Sequence, residues 1–240
     1  MCSELILAPE TVDVWDVPLT GSATLAGTCA AVLSEDERER AEHFHFDRDR
    51  ERFVVHRGIL RFLLSRYAGI SPEKIVFGCT PFGKPFLEIM GEEFDGIAFN
   101  LSHSEARALY AFGANMRLGV DLEHMRRDVN FGSLVRRFFA PAERGAFFSL
   151  DQDQWADAFF AVWTRKEAVL KAEGVGLSMG LDRFELPVKP GIPGQEIRVD
   201  SRDGPGKQWS VYDLAVAPGF RGALAVDRPV RQIRRQTWSW

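Results

Sequence analysis

Apolar and polar residues change their spacing several times along the chain, and each spacing predicts a different secondary structure. Residues 12–17 alternate apolar and polar side chains and include β-branched valines, which is typical of a half-buried strand. From Arg48 to Tyr67 apolar residues recur every three or four positions, which predicts an amphipathic helix. The same spacing returns from Trp155 to Glu173, so we predict a second long helix that ends at Gly174.

Short strand-like segments fill much of the remaining chain. Polar or glycine-containing turns separate three apolar runs, which we expect to be neighbouring antiparallel strands: 97–101, 108–112 and 118–123. Later segments of the same kind predict strands at 184–186, 209–212 and 223–226.

Local signals mark further helix starts and one turn. Ser34, with Glu37 three residues later, has the pattern of a capping box and predicts a solvated first helix. Pro141 suits the first turn of another helix. The segment 75–87 carries two prolines and two glycines, so it predicts a short strand, a turn and a loop that presents Lys84.

The composition excludes several classes of protein. With 240 residues, 45% hydrophobic and 27% charged, the chain has the composition of a globular protein. A net charge of −4 disfavours nucleic acid as the main partner. We expect neither a signal peptide nor a membrane span, and therefore a cytoplasmic protein. The three separated cysteines predict neither a disulfide framework nor a zinc site.

Two acidic residues in the third apolar run are candidates for binding a divalent cation. Asp121 and Glu123 are two positions apart, so in a strand their side chains share one face. Magnesium is often held by one or two carboxylates together with substrate phosphates. The spacing alone leaves open the alternative of acidic residues on the wet face of an edge strand.

Glu167 and Lys171 lie four residues apart in the second long helix, so they share a helix face. An ordinary surface ion pair would have the same spacing. Phe160 and Trp163 lie on that face as well, which favours the wall of a cleft over open surface. Lys166 falls in the apolar stripe, and we expect a structural partner for its charge.

A polar cluster at 100–104 follows an apolar strand and contains Ser102 and His103. Neighbours on an extended chain point to opposite faces, so phosphate binding is a better interpretation than a serine–histidine nucleophile pair. A structural role for the histidine is the alternative. Basic residues elsewhere could also bind an anion, although each could equally be a solvated surface charge: Arg40, Arg52, Arg57 and Lys84.

Five short motifs follow one another along the chain: G-K-P-F (83–86), F-N-L-S-H-S (99–104), G-V-D-L-E (119–123), F-F-A-P-A-E (138–143) and W-T-R-K-E-A-V-L-K-A-E-G-V-G-L (163–177). Together with the arginine-rich segment 48–61, they resemble the Sfp-type 4′-phosphopantetheinyl transferases. The likeness covers roughly residues 34–186. Several separate motifs in the family order rarely coincide by chance.

The resemblance implies an α/β fold of the α+β type with two similar halves. Each half would be a small antiparallel sheet with a long packed helix, and a pseudo-twofold axis would relate the halves. We expect the N-terminal half at 1–115 and the C-terminal half at 116–240. Coenzyme A would bind in the cleft between them, and the working unit would be a monomer.

The resemblance also implies roles for individual residues. Magnesium would be bound by Asp121, Glu123 and Glu167. Lys171 would lie near the diphosphate, with Glu167 as the first choice for the catalytic base and Glu143 as the reserve. The residues that would bind coenzyme A are Arg40, Arg52, Arg57, Lys84, Ser102, His103, Asp121 and Lys171.

In the implied reaction, a serine hydroxyl of an apo acyl or peptidyl carrier protein attacks the β-phosphate of coenzyme A, and 3′,5′-ADP departs. An acidic carrier helix would dock on the basic segment 125–137, through Arg126, Arg127, Phe131, Arg136 and Arg137. Two alternatives stay open. One is a magnesium-dependent nucleotide-diphosphate phosphohydrolase. The other is a non-catalytic coenzyme A or carrier-binding module, which would lack at least one of Asp121, Glu123, Glu167 and Lys171.

Overall fold

The computed structural model describes residues 5–20, 23–89, 92–94, 96–174, 180–200 and 208–238. The helices are α1 (Ala23–Ala31), α2 (Glu35–Glu42), α3 (Asp47–Ala68), α4 (Phe131–Phe138), α5 (Pro141–Phe148) and α6 (Trp155–Glu173). The strands are β1 (Thr11–Pro18), β2 (Val76–Cys79), β3 (Pro85–Ile89), β4 (Glu92–Glu93), β5 (Ala98–Ser104), β6 (Arg107–Gly113), β7 (Leu118–His124), β8 (Glu196–Asp200), β9 (Gln208–Leu214), β10 (Phe220–Val226) and β11 (Gln232–Thr237).

The strands form two four-stranded sheets and one small three-stranded sheet. The first sheet has the order β11-β1-β6-β5, and the second has the order β7-β10-β9-β8. The small sheet consists of β2, β3 and β4. Strand β11 pairs with β1 in parallel, whereas the other pairs among the described strands are antiparallel.

The two larger sheets pack face to face, and a long helix covers the outer face of each. In β6, Tyr110 and Phe112 face the core under α3, whereas Leu109 and Ala111 face the second sheet. The same alternation occurs in β10. Ala223 and Ala225 pack under α6, whereas Leu224 and Val226 face the first sheet. This arrangement confirms the predicted fold class of two similar α/β halves.

The long helices and the first strand agree closely with their predicted positions. Helix α3 includes the whole predicted segment, and α6 begins at Trp155 and ends at Gly174, whose φ of 74° is the left-handed conformation of a helix C-cap. Strand β1 extends the predicted 12–17 by a residue at each end. Helix α5 begins at Pro141, as predicted.

Several other predictions were wrong. The run 118–123 was expected to pair with its predecessor, but β7 pairs with β10 in the second sheet. Residues 184–186 follow a 3-10 turn and are not a strand. The capping box precedes the second helix, not the first, and Glu37 is buried against Arg57 and Arg61 instead of solvated.

The C-terminal strand also crosses the expected boundary between the halves, because β11 lies beside β1 in the first sheet. Asp13 of β1, with a side chain only 2% exposed, forms an ion pair with Arg234 of β11 at 2.5 Å. The predicted boundary between the halves at 115/116 therefore stays a prediction for the elements other than β11. Cys29 and Cys79 are free thiols, whereas Cys2 and the last three residues of the fifth motif lie outside the described residues.

None of the helices in the described ranges is both long and apolar enough to cross a membrane.

Strand β7 approaches α6 so closely that one residue between them must be glycine. A Cβ atom at Gly119 would lie 2.2 Å from the carbonyl oxygen of Ala168 and 2.3 Å from the amide nitrogen of Ala172. Both neighbours are helix backbone atoms, which cannot move independently of the helix. This close approach brings Asp121 and Glu123 of β7 beside the helix that carries Glu167 and Lys171.

We predict that Gly119→Ala lowers the free energy of unfolding by about 1–3 kcal/mol, because the added methyl group overpacks the contact between strand and helix. Gly145→Ala in α5 is the matched control, since a Cβ atom there would meet nothing within 4 Å. Alanine is also the better helix former, so the control should be as stable as the wild type or more so. Urea unfolding followed by circular dichroism measures both variants, and a wild-type midpoint for Gly119→Ala would contradict the close packing.

Candidate active site

Side chains, not a backbone ladder, connect β5 to β7 where the two large sheets meet. Alternate residues of β5 reach across, which accounts for the pattern N-x-S-x-S in the second motif. The amide of Val120 donates to Asn100 Oδ1 at 2.9 Å, Ser102 Oγ donates to Asp121 Oδ1 at 2.9 Å, and Ser104 Oγ donates to Glu123 Oε2 at 3.2 Å. We call this set of contacts the seam.

Asp121 lies at the centre of the seam and also contacts α6. The Nζ atom of Lys171 donates to Asp121 Oδ1 at 2.7 Å and to Ser102 Oγ at 2.9 Å. The Asp121 side chain is only 4% exposed, whereas Lys171 is 30% exposed. The second carboxylate oxygen, Asp121 Oδ2, is buried and has no hydrogen-bond partner among the described residues.

Glu123 and Glu167 complete a cluster of three carboxylates, which we call the acidic cluster. Burial and then the negative charge of Asp121 raise the pKa of Glu123. For Glu167, burial and then Asp121 raise the pKa to about 7, with a further contribution from Glu123 that Lys171 partly offsets. Three acidic groups therefore face one another with a single lysine among them.

The acidic cluster has the chemistry of a magnesium site. Magnesium takes oxygen ligands, keeps several waters and commonly binds one or two carboxylates plus substrate phosphates. Within the part of the chain that the structure describes, no three acidic, histidine or cysteine side chains are placed so that they alone could hold a metal ion. The unpartnered Asp121 Oδ2 and the mutual repulsion with Glu123 and Glu167 nevertheless fit a cation that enters together with its phosphate ligands.

A cavity of about 560 Å³ opens between α2, α3 and the end of β5. Three of the residues predicted to bind coenzyme A line it, namely Arg40, Arg52 and His103. Its other lining residues are Leu19, Phe44, Arg48, Asp49, Phe53, His56 and Glu105. We call it the basic cavity. Because successive residues of a strand point to opposite faces, Ser102 belongs to the seam while His103 lines this cavity.

Two other basic residues from the prediction lie away from the basic cavity. Arg57 donates to Glu37 at 2.7 Å and its guanidinium lies over the Phe77 ring, so it belongs to the scaffold around α2. Lys84 donates to the carbonyl oxygens of Leu118 at 2.9 Å and Ala172 at 3.4 Å. The structure thus brings Arg40, Arg52 and His103 together and places Arg57 and Lys84 elsewhere.

Glu143 is held inside the C-terminal half. Its carboxylate accepts hydrogen bonds from the amides of Ala140 and Leu186, both at 2.7 Å, and forms an ion pair with Lys166 at 2.9 Å. Lys166 also donates to the carbonyl oxygens of Leu181 and Phe184. The prediction that Lys166 has a structural partner is therefore confirmed. That partner is Glu143, which was predicted as the reserve base.

Sequence reasoning missed the parts of the site that come from long-range pairing. Asn100 and Ser104 lie in the second motif, but their role depends on β7 running beside β5. His56 lines the basic cavity four residues after Arg52 on α3. The four-residue spacing of Arg48, Arg52 and His56 was the available signal, since it places them on one face of the helix.

Two family models and several known proteins match the chain. A model of the 4′-phosphopantetheinyl transferase superfamily matches residues 117–224, and a model of the N-terminal part of 4′-phosphopantetheinyl transferase matches residues 22–112. The chain is 39% identical over 224 residues to the 4′-phosphopantetheinyl transferase HetI of Nostoc sp.. The aligned region covers 92% of this chain and 90% of that protein. It is 29% identical over 197 residues to the 4′-phosphopantetheinyl transferase Sfp of Bacillus subtilis, with 82% and 83% covered.

We predict that magnesium raises the melting temperature of the wild type more than sodium chloride does at matched ionic strength, because a divalent cation relieves the repulsion within the acidic cluster. Glu123→Gln should melt higher than the wild type without metal and respond less to magnesium. A relief of about 1 kcal/mol corresponds to roughly 2–4 °C at this chain length.

The control for this measurement is Glu73→Gln, which removes an exposed carboxylate from the 3-10 turn Pro72–Lys74. Its magnesium response should equal that of the wild type. Thermal unfolding followed by fluorescence measures all three proteins, and equal responses to magnesium in wild type and Glu123→Gln would contradict a metal site at the acidic cluster.

Proposed function

The chain belongs to the 4′-phosphopantetheinyl transferase superfamily and transfers phosphopantetheine from coenzyme A to carrier proteins, and we propose that the acidic cluster with Lys171 is its catalytic centre. The family assigned from five motifs is thereby confirmed. The main observation in support is that β7 and α6 bring Asp121 and Lys171 into contact. The charges of both residues also affect the pKa of Glu167.

Magnesium would be held by Asp121, Glu123 and Glu167 together with the diphosphate of coenzyme A. When bound there, the metal supplies a positive charge that polarises the phosphoryl oxygens and stabilises charge in the transition state. The carboxylate oxygen left without a partner on Asp121 supports this assignment.

Lys171 would bind the diphosphate and offset the charge that develops as 3′,5′-ADP leaves. Its partial exposure supports this role, because an ammonium group bonded to Asp121 can still reach an entering phosphate. Ser102 holds the same ammonium group in place through its hydroxyl oxygen.

Glu167 would accept the proton of the attacking carrier-protein serine. A base works best when its pKa lies near the working pH, and without metal the pKa of Glu167 is raised to about 7. Magnesium on the same carboxylate would lower that pKa, so the roles of base and metal ligand are alternatives for Glu167. Glu143 is unsuited to this task, because both carboxylate oxygens are engaged by Ala140, Leu186 and Lys166. We therefore propose a structural role for Glu143 in place of the reserve base.

The basic cavity would receive the nucleotide end of coenzyme A. Arg40, Arg52 and His103 would meet the 3′-phosphate, since arginine and histidine provide charge-assisted hydrogen bonds to phosphate oxygens. Arg52 is paired with Glu105 at 3.5 Å, a long contact that an entering phosphate can replace. Arg57 would act indirectly by fixing α2, which carries Arg40.

The carrier protein would dock on the segment after β7. Arg136 and Arg137 are exposed on α4, where their guanidinium groups lie over the rings of Phe148 and Phe138. A neighbouring cavity of about 680 Å³ includes Met125 and Arg127 in its lining. Phe131 is buried, so its predicted place on this surface is corrected to the core beneath it.

The working unit would be a monomer located in the cytoplasm, with the halves divided at 115/116 apart from β11. A single chain supplies the residues of the acidic cluster and of the basic cavity, so the proposed reaction needs no second copy. The family membership of the chain favours transfer over the two alternatives, a nucleotide-diphosphate phosphohydrolase and a non-catalytic binding module, and measuring the mass of the carrier distinguishes all three.

We predict that this protein, coenzyme A and magnesium together add a phosphopantetheine group to an apo carrier protein, as measured by the intact mass of the carrier. Asp121→Ala should lower the initial rate on the order of 100-fold, because it removes both a metal ligand and the partner of Lys171. Glu73→Gln should retain the wild-type rate.

Each other outcome of the mass experiment has a definite meaning. Release of 3′,5′-ADP without a gain in carrier mass would indicate a phosphohydrolase. Coenzyme A binding without either product would indicate a binding module. Equal rates for wild type and Asp121→Ala would remove the acidic cluster from the mechanism.

We predict that reversing Arg136 and Arg137 to glutamate raises the KM for carrier protein more than the KM for coenzyme A, since both arginines lie outside the basic cavity. Lys74→Glu, an exposed reversal on the other half, serves as the control and should change neither KM. Steady-state kinetics with each substrate varied in turn measures the difference. An equal rise in both values would argue against docking at α4.

A further inference from the structure

His56 is a buried histidine in the wall of the basic cavity. His56 is only 6% exposed, and it lines the cavity together with Arg40, Arg52 and His103. The Nε2 atom is buried and has no hydrogen-bond partner within the described part of the chain. Buried polar atoms are nearly always paired, so an unpaired nitrogen at the edge of a binding cavity calls for a physical reason.

The imidazole of His56 packs against two other rings. The His103 ring lies 4.9 Å away, centroid to centroid, at an interplanar angle of 70°, and the Tyr110 ring stacks on His56 at 5.5 Å. The Tyr110 hydroxyl also donates to the backbone carbonyl of His56 at 2.9 Å. Tyr110 therefore holds His56 firmly, and His56 in turn contacts His103 edge to face.

The surroundings keep the His56 imidazole neutral. Burial, and then the neighbouring His103, Arg57 and Arg40, hold its pKa well below the ordinary value. A neutral imidazole has one N–H donor and one acceptor nitrogen. It can contact His103 without adding another positive charge to a cavity that three arginines already line.

We propose that His56 is a positioning residue that holds the His103 imidazole toward the 3′-phosphate of coenzyme A in the basic cavity. The inference rests on the proposed function, which assigns His103 to that phosphate. His103 is exposed near the end of β5, where the His56 ring packs against it edge to face. Contact with a rigid neutral ring restricts its orientation before the cofactor arrives, which lowers the entropy lost on binding.

The test compares coenzyme A with dephospho-coenzyme A, which lacks the 3′-phosphate. The measured quantity is the ratio of kcat/KM for the two cofactors, in wild type, His56→Ala, His103→Ala and the double variant. We expect each single change to lower the ratio about tenfold, the order of one charge-assisted contact. The double variant should lose little more than His103→Ala alone, because His56 acts through His103.

Val55→Ala is the matched control, since Val55 is the buried neighbour of His56 on α3 and does not line the basic cavity. It should lower stability while leaving the cofactor ratio at the wild-type value. If His56→Ala fails to fold, His56→Leu carries the same test, because it fills the space against Tyr110 and removes the flat ring that contacts His103. Loss of the ratio in His56→Leu would support the proposal.

The outcomes separate this inference from the function on which it rests. A wild type that does not modify the carrier overturns the proposed function. A wild type that modifies the carrier equally well with both cofactors overturns the assignment of the basic cavity to the 3′-phosphate. A wild-type ratio in His56→Ala or His56→Leu, or additive losses in the double variant, overturns the role of His56 alone.

Discussion

The seam between β5 and β7 is the interaction on which the rest of the molecule depends. The strands β5 and β7 belong to different sheets, and Asn100, Ser102 and Ser104 of β5 connect to β7 through their side chains. Because two of the partners are the carboxylates of Asp121 and Glu123, the contacts that join the halves also hold acidic residues at the junction. A substitution in the seam is therefore expected to affect both stability and chemistry, and the two effects need separate measurements.

The acidic cluster makes the free protein less stable than its packing would allow. Burial is the main cause of the raised pKa of Glu167, and repulsion from Asp121 and Glu123 adds to it while Lys171 offsets part of the effect. Sites prepared for a charged ligand commonly carry such a cost, and the ligand recovers it on binding. Elsewhere in the described ranges, buried acids form close ion pairs: Glu37 with two arginines, Asp213 with Arg165, and Glu143 with Lys166. Asp121 also pairs with a lysine, but it keeps one buried carboxylate oxygen without a hydrogen-bond partner, which distinguishes the site from the scaffold.

This contrast also explains which features could be predicted from the sequence. Helices α3 and α6 follow from local spacing, and even the end of α6 at Gly174 could be predicted, because a C-cap depends on neighbouring residues. The pairing of β7 with β10 could not, since it joins segments about a hundred residues apart, and strand register depends on the complete core. Glu143 and Glu167 look alike as glutamates within motifs. Only the packing shows that one is bonded to Lys166 and two amides while the other faces two carboxylates.

Strand β5 finally relates the two ends of the proposed cofactor site. Ser102 points toward Asp121 and Lys171, and the next residue, His103, points to the opposite side and toward α3. One step along a strand is about 3.3 Å and reverses the direction of the side chain, so in the proposed site two adjacent residues would serve the diphosphate and the 3′-phosphate from a single rigid element. The nearby backbone is fixed by pairing with β6 on one side and by the seam on the other. The distance between the catalytic centre and the basic cavity is therefore set by strand geometry, whereas the orientation of His103 within the cavity depends on what packs against it.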